Sequence, residues 1–453
     1  MPRSGDDRSW NRTGRSGNRP AAGSCVGGDG PGIGETAPSG AAEVGGAGAD
    51  QADNAGVAPD PAAIAAADAA VSAAEPELIE LSHSIHDEPE LAFAEVRSVH
   101  KTLIPLRARG FHIEAPVADL DTAFVATYGS GELVVGICAE YDALPELGHA
   151  CGHNIIAASA VGAALALAEV ADRCGLTVKV FGTPAEESGG GKVLMLERGV
   201  FDGVAMAMMV HPGPFDIVGA RSLALADLSV VFHGREAHAS AAPEYGRNAG
   251  DAATVAQVAL GLLRQHLRPG QQLHGIVETG GVAPNIVPGF AEMLYYLRAD
   301  DSASLDDLRQ RASACFEAGA LATGCTHEIR ALAPTYTELT PDPALLCAYR
   351  EQIIGMGRIP LAPELEAARP LGSTDMGNIT NAIPGIHPVI GIEANGAVTH
   401  QREFAAAAVT PSADLAVIDG ARALARTAIR IAGDQLQRDR LLGRSIRRQE
   451  DIR

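Results

Sequence analysis

The chain has 453 residues, of which 46% are apolar, and a formal net charge of −21. That length exceeds one ordinary compact domain, so two folded domains plus a tail are expected, with enough apolar content for a sizeable core. The acidic balance argues against nucleic acid and anionic membranes as partners.

Residues 1–70 are rich in Gly, Ala, Asp, Ser and Pro and nearly lack large aliphatic side chains. Such a segment buries too little apolar surface to offset its chain entropy and is expected to be a disordered tail. Order is expected from about Pro76, with amphipathic helices over 77–86 and 94–108. Strands and helices then alternate: a strand over Leu133 to Ala139, an Ala-rich helix over Cys151 to Cys174, and strands over Val178 to Gly182, Val204 to Val210 and Val389 to Ile392. Nearly continuous apolar strands between helices predict a parallel sheet covered on both faces, an α/β fold. The middle differs. A strand over 225–232, a helix over 247–267, strands over 273–278 and 292–298, and a helix over 305–321 predict a small α+β domain, residues 222–334, inserted into the larger one. The larger domain is then split into 76–221 and 335–432, and 433–453 is a charged helix or tail. No uninterrupted apolar run of transmembrane length stands out, and the N-terminus lacks a compact apolar signal core. Seven scattered cysteines, an odd number, argue against a disulfide framework. A cytoplasmic location follows as the expectation. Lysine occurs only at Lys101, Lys179 and Lys192, which reads as genome bias.

Four segments that follow apolar strands carry the reactive side chains, and sites in open α/β sheets form at the carboxyl ends of strands. In His149-Ala150-Cys151-Gly152-His153, a thiolate and an imidazole flank one glycine. They could reach one metal at a helix start, or be a buried cysteine beside a structural histidine. In Pro184-Ala185-Glu186-Glu187, adjacent carboxylates could divide metal binding from proton transfer, or be a solvated acidic turn. His211 at the end of an apolar strand and His400 closing a turn are each a ligand or a structural histidine. Together, Cys151, His153, Glu187, His211 and His400 are too many donors for one tetrahedral ion with an open position. They suit two divalent ions sharing a ligand and a water, with Glu186 free as a base.

These segments, with Asp142-Ala143-Leu144-Pro145 before them, resemble in order and content the metal-dependent amidohydrolases of the aminoacylase and carboxypeptidase G superfamily. The resemblance covers about residues 76–432 and is strongest to the branch with p-aminobenzoyl-glutamate hydrolase and β-alanyl-lysine dipeptidase. It implies a zinc-peptidase-like α/β/α catalytic domain and an inserted ferredoxin-like domain that mediates homodimerisation and closes over substrate. It implies two zinc or manganese ions held by the five donors named above, with Glu186 as general base and Asp142 orienting a ligand. It also implies that His238 steadies the oxyanion, often across the dimer, and that Asn285 and Arg298 hold a substrate carboxylate. The segment Arg369 to Gly377 resembles a late glycine-serine-aspartate loop and suggests a substrate-lining Ser373, or a plain turn. Asn154 stands where auxin-conjugate hydrolases commonly show aspartate. Glu140 stands where the wider superfamily has a metal-binding histidine.

The expected activity is hydrolysis of the amide in a small, carboxylate-bearing N-acyl amino acid or dipeptide of the p-aminobenzoyl-glutamate kind. The alternatives are a dipeptidase for β-alanyl or cationic dipeptides, and a metal-binding member of a hydrolase complex without turnover of its own. The intact Glu186-Glu187 pair speaks against the last. A cysteine hydrolase using Cys151 with His153 is disfavoured, because the two are poorly spaced for a nucleophile–base hydrogen bond.

Overall fold

Asp60 starts the first helix. Its carboxylate accepts from the amides of Ala62 at 3.0 Å and Ala63 at 3.4 Å, and Pro61 takes the first helical position, where a missing N–H costs nothing. The computed structural model describes residues 60–452 apart from 367 and 369. The expected tail up to residue 59 therefore lies outside the described residues, as does Arg369.

Helix α1 (Pro61–Asp87) corrects the expected start of order: residues 61–70 are helical and Pro76 lies inside the helix. Ala63, Ala67, Ala70, Val71, Ala74, Leu78, Leu81 and Ile85 are buried at helical spacing. Alanine is the best helix former and its small side chain lets helices approach closely, so a composition that reads as disorder packs as a helix. After it come α2 (Val96–Ala108), β1 (His112–Glu114), β2 (Phe124–Gly129), β3 (Leu133–Ala139), α3 (His153–Cys174), β4 (Leu176–Gly182), α4 (Gly191–Glu197), β5 (Met206–Met208) and β6 (His211–Gly213). The middle of the chain forms β7 (Ala224–His233), α5 (Ala249–Leu263), β8 (Gln272–Thr279), β9 (Phe290–Ala299), α6 (Ser302–Thr323) and β10 (Thr326–Ala331). The chain ends with α7 (Pro343–Gly355), α8 (Pro363–Glu366), α9 (Met376–Ala382), β11 (Gly385–Ile386), β12 (Val389–Gly391), α10 (Arg402–Ala407), α11 (Pro411–Gly433) and α12 (Gln435–Ile452).

The main sheet has the order β1-β2-β4-β3-β5-β11. It is mixed where an all-parallel sheet was expected: β3, β4, β5 and β11 run parallel, while β1 and β2 are an antiparallel edge. The late strand β12 pairs with β6 in a separate two-stranded ribbon rather than joining this sheet. Alternate residues of β3 and β4 serve two cores. Leu133, Val135, Leu176 and Val178 face α1, α3, α7 and α11, while Cys138 and Phe181 face α4 and α9. Helix α3 is, by length and composition, apolar enough to cross a membrane, although Glu169, Asp172 and Arg173 interrupt its apolar run. It is buried along most of its length, packed between the sheet and helices α1 and α11.

The middle segment forms a four-stranded antiparallel sheet in the order β10-β7-β9-β8, with α5 and α6 packed on one core. Its connections read strand–helix–strand–strand–helix–strand. The chain enters and leaves this unit side by side, because Leu225 and Tyr336 exchange backbone hydrogen bonds at 2.9 and 3.0 Å.

Candidate metal centre and active site

The strand ends of the main sheet deliver the site. Past β3 the chain buries Glu140 and Asp142. Past β4 it turns through Ala185, whose φ of 59° is costly for a residue with a Cβ. That turn is pinned at three points. The Ala185 amide donates to Glu95 Oε1 at 2.9 Å, the Glu187 amide donates to Asp142 Oδ2 at 3.0 Å, and the Tyr336 hydroxyl donates to the Glu186 carbonyl at 2.8 Å. Gly152, between Cys151 and His153, has a φ of 74°, and a Cβ there would meet Pro212 Cγ at 2.5 Å. Only glycine fits this close approach of the Cys151 loop to the chain after His211. His400 is drawn in by its own amide, which donates to the Ala150 carbonyl at 2.9 Å.

All five expected ligands converge. The donor atoms of Cys151, His153 and His211 lie within 4.8 Å of one another, and so do those of Cys151, Glu187 and His400. Cys151 belongs to both of these groups, as two ions sharing one ligand would require, and Glu140, His153 and Glu186 form a third close group. His211 opens β6 rather than ending the preceding strand, but its side chain reaches the same place. His153 Nδ1 is 3.0 Å from Asp142 Oδ1, so Nδ1 is the nitrogen that donates to the carboxylate and Nε2 is the one left to face a cation. His211 Nδ1 donates to the Pro212 carbonyl at 2.7 Å, with the same consequence.

The donors fit cations. His153 Nε2 is buried without a hydrogen bond, although carboxylate oxygens of Glu140, Glu187 and Glu186 stand 3.5, 3.8 and 4.0 Å away. Glu187 Oε1 is also buried and unbonded. Burial penalises a charge on His153, but Asp142, with Cys151 and Glu140, outweighs it and raises the imidazole well above its usual range. Burial, then Glu140, Glu187 and Asp375, push the Glu186 carboxyl well above the carboxylate range. Burial, then His153, hold His211 down at about 4. So much negative charge around unbonded lone pairs is the environment that divalent ions neutralise.

Lys192 and His387 were not foreseen at the site. Lys192 is fully buried, its Nζ 2.6 Å from Glu140 Oε1 and 2.5 Å from Asp375 Oδ1. Asp375 is therefore an ion-pair residue, and the neighbouring Ser373 supplies the polar contact of its loop. Ser373 Oγ accepts from Arg298 Nη1 at 2.7 Å. His387 is buried beside His211 with ring centroids 5.5 Å apart, and both of its ring nitrogens are unbonded. Its signal was a second histidine-proline pair after an apolar strand. Asn154 ties helix α3 to its neighbours by donating to Ser82 Oγ and the Ala408 carbonyl, each at 2.9 Å.

A cavity of about 480 Å³ opens over these groups. Its wall includes Cys151, Glu186, Glu187, His211, Arg298 and Ser373. His238 and Asn285 do not line it. They lie together in the middle unit, where the Ala239 amide donates to the Asn285 carbonyl at 3.0 Å, and both are exposed.

The sequence pattern of peptidase family M20/M25/M40 matches residues 136–428, which carry all five donors and Glu186. The chain belongs to this family. It is a metal-dependent hydrolase of amide or peptide bonds. The Xaa-Arg dipeptidase of Mus musculus is 40% identical over 77% of this chain and 84% of its own length. The p-aminobenzoyl-glutamate hydrolase of Escherichia coli, in one of its component chains, is 34% identical over 55% of this chain and 56% of its own length. A dinuclear metal-binding peptidase of the same family from Bacillus subtilis shares the fold, with a TM-score of 0.61 at 23% identity over 79% of this chain and 98% of that one.

Proposed function

We propose that this hydrolase cleaves small dipeptides or N-acyl amino acids whose carboxylate is bound by Arg298, and that dipeptides ending in a basic residue are its first substrate class. The observation that carries the reading is Arg298 itself. It lines the cavity, only a serine hydroxyl bonds it, and it forms no ion pair with a carboxylate among the described residues. Burial lowers its pKa, and a substrate carboxylate would relieve that cost. Phe215, an exposed aromatic ring in the cavity wall, suits a cationic or aromatic group, while the Tyr296 ring lies under the Arg298 guanidinium at 5.5 Å. The dipeptidase reading is preferred over the aminobenzoyl-glutamate one because the relative named for dipeptides is the more similar and covers more of the chain.

Two ions, zinc or manganese, would be held by Cys151, His153 and His211 and by Cys151, Glu187 and His400. Bound there, they supply Lewis acidity to an amide carbonyl and to a water. Asp142 keeps His153 in the tautomer that presents Nε2. Glu186 takes a proton from the attacking water at its carboxylate and returns it to the leaving nitrogen. Arg298 and Ser373 orient the substrate carboxylate.

The middle unit, residues 222–334, is read as a ferredoxin-like lid and dimerisation domain. The open edge of β8 and the exposed Val258, Leu262, Ile276 and Val277 support a homodimer there. His238 and Asn285 would then serve the partner's cavity, His238 donating to the oxyanion. The acidic chain, and free thiols at Cys138, Cys151, Cys174, Cys315, Cys325 and Cys347, fit a cytoplasmic enzyme with neither nucleic acid nor membrane as partner.

The test is kcat/KM on alanyl-arginine, β-alanyl-lysine and p-aminobenzoyl-glutamate, each beside its C-terminal amide. Cleavage should stop on chelation and return with zinc or manganese. Amidation should lower kcat/KM about 10- to 100-fold, and Arg298→Ala should do the same to the free acids. Amides cleaved as well as acids would sink the Arg298 reading. Glu186→Gln should retain metal and lose about 10²–10⁴-fold in kcat.

A further inference from the structure

Tyr336 lies 150 residues from Glu186 in sequence yet bonds its carbonyl. Its backbone does something else. It pairs with Leu225 at the point where the chain enters the middle unit. Leu225, in turn, stands directly opposite Arg298 in the β7–β9 ladder. Tyr336 is thus hydrogen-bonded both to Glu186 and to Leu225, and Leu225 is the cross-strand neighbour of Arg298, a pair without its own hydrogen bond because Tyr336 takes both backbone groups of Leu225; the path runs from the residue that would move the proton to the residue that would hold the substrate carboxylate. We infer that Tyr336 is a positioning residue, the link that fixes the span between the carboxylate anchor and the general base and so selects substrates by the distance from scissile amide to carboxylate. The inference rests on the reading of Arg298 above.

The link has little slack. Tyr336 is only 6% exposed although it lines the cavity. Its ring is wedged against Gly190, where a Cβ would meet Cε1 at 2.8 Å. Burial and the nearby Asp375 and Glu186 hold the phenol protonated, so the hydroxyl stays a donor. On its other side the Glu186 turn is fastened by Glu95 and Asp142, which hold Ala185 in its costly left-handed conformation. At the far end Ser373 holds Arg298 from the catalytic domain. A base pinned on both sides and an anchor pinned on both sides leave the ladder between them as the element that sets their separation. Misplacement of about 1 Å costs roughly 10²-fold in rate, so a loosened link should show in turnover.

The experiment is a double-mutant cycle on the metal-loaded enzyme with Tyr336→Phe, Arg298→Ala and both, assayed on a dipeptide and on its C-terminal amide. Tyr336→Phe keeps the ring and removes only the hydroxyl, and its metal content and thermal midpoint report folding. It should lower kcat on the acid about tenfold with KM within about twofold, and change kcat on the amide less than about twofold. In the Arg298→Ala background its effect should shrink to less than about twofold. Equal losses on acid and amide, or a loss undiminished without Arg298, would overturn the link while leaving carboxylate binding at Arg298 intact. No effect of Arg298→Ala by itself would overturn both. A second measurement needs no variant: a series of acids with one, two or three methylenes between scissile nitrogen and carboxylate. A kcat optimum sharper than about tenfold supports a fixed span, and a flat series refutes it.

Discussion

Replacing Lys192 by methionine isolates a fully buried charge. The side chain is 0% exposed and lies between two carboxylates, with Glu140 at 2.6 Å and Asp375 at 2.5 Å, while its own amide donates to the other Asp375 oxygen at 3.0 Å. Methionine preserves the length of the stem and removes the cation, which leaves both acids buried and unopposed. Breaking a buried pair from one side costs about 3–5 kcal/mol. With an unfolding entropy of about 2.1 cal/mol/K per residue over roughly 390 ordered residues, that loss lowers the melting midpoint by about 4–6 °C. Burial and Glu140 already raise Asp375 above ordinary carboxylates, so at acidic pH a proton would stand in for the missing cation. The scan therefore belongs at pH 8, on chelated protein, so that metal binding does not add its own stabilisation. Adding Glu140→Gln and Asp375→Asn to Lys192→Met should recover most of the loss. A single variant melting within about 1 °C of the parent, or a triple variant no better than the single, would refute the charge argument.

Glu95 is buried and its carboxyl is pushed up to about 7, chiefly by that burial. Between pH 4.5 and 7 the native state therefore holds a proton that the unfolded chain has released, so stability falls by about 3 kcal/mol as pH rises through this window. Glu95→Gln should flatten that slope, because the amide oxygen can still accept from Phe93 and Ala185; an unchanged slope between urea midpoints at pH 5 and 7.5 would remove Glu95 as its source. Cys151→Ser should cost both ions, since Cys151 is common to both donor groups, whereas His400→Ala should weaken only one; elemental analysis showing one ion fully retained by Cys151→Ser would end the shared-ligand geometry.

The candidate donor set was legible because each member is chemically distinctive and lies in a segment that follows an apolar strand. Cys151, His153, Glu187, His211 and His400 were each ambiguous alone and pointed to metals only as a set, which the fold then brings together. Helix α1 was not legible, because alanine at helical spacing has the composition of a flexible tail until helices α3 and α11 cover it. The β1–β2 edge escaped notice because β1 is three residues long and β2 joins the sheet through β4, a strand distant in sequence. Lys192 left a trace, as one of three lysines in a chain that otherwise uses arginine, but its partner Asp375 is 183 residues away and no local pattern joins them. Tyr336 left none.

This division has a physical basis. A residue that binds a metal or moves a proton must have one of a few side chains, so its identity announces it. A residue that holds such a group in place needs only a hydrogen bond at the right point, and many side chains could supply one. Glu95, Tyr336 and Lys192 meet the site from three separate stretches of chain, and each acts on a backbone atom or a carboxylate rather than on substrate. The chemistry of such a centre can therefore be read from sequence well before its precision can. Precision is what would separate a short substrate from a longer one at the same metal centre, so the determinants of substrate length belong among the supporting residues and not among the candidate ligands.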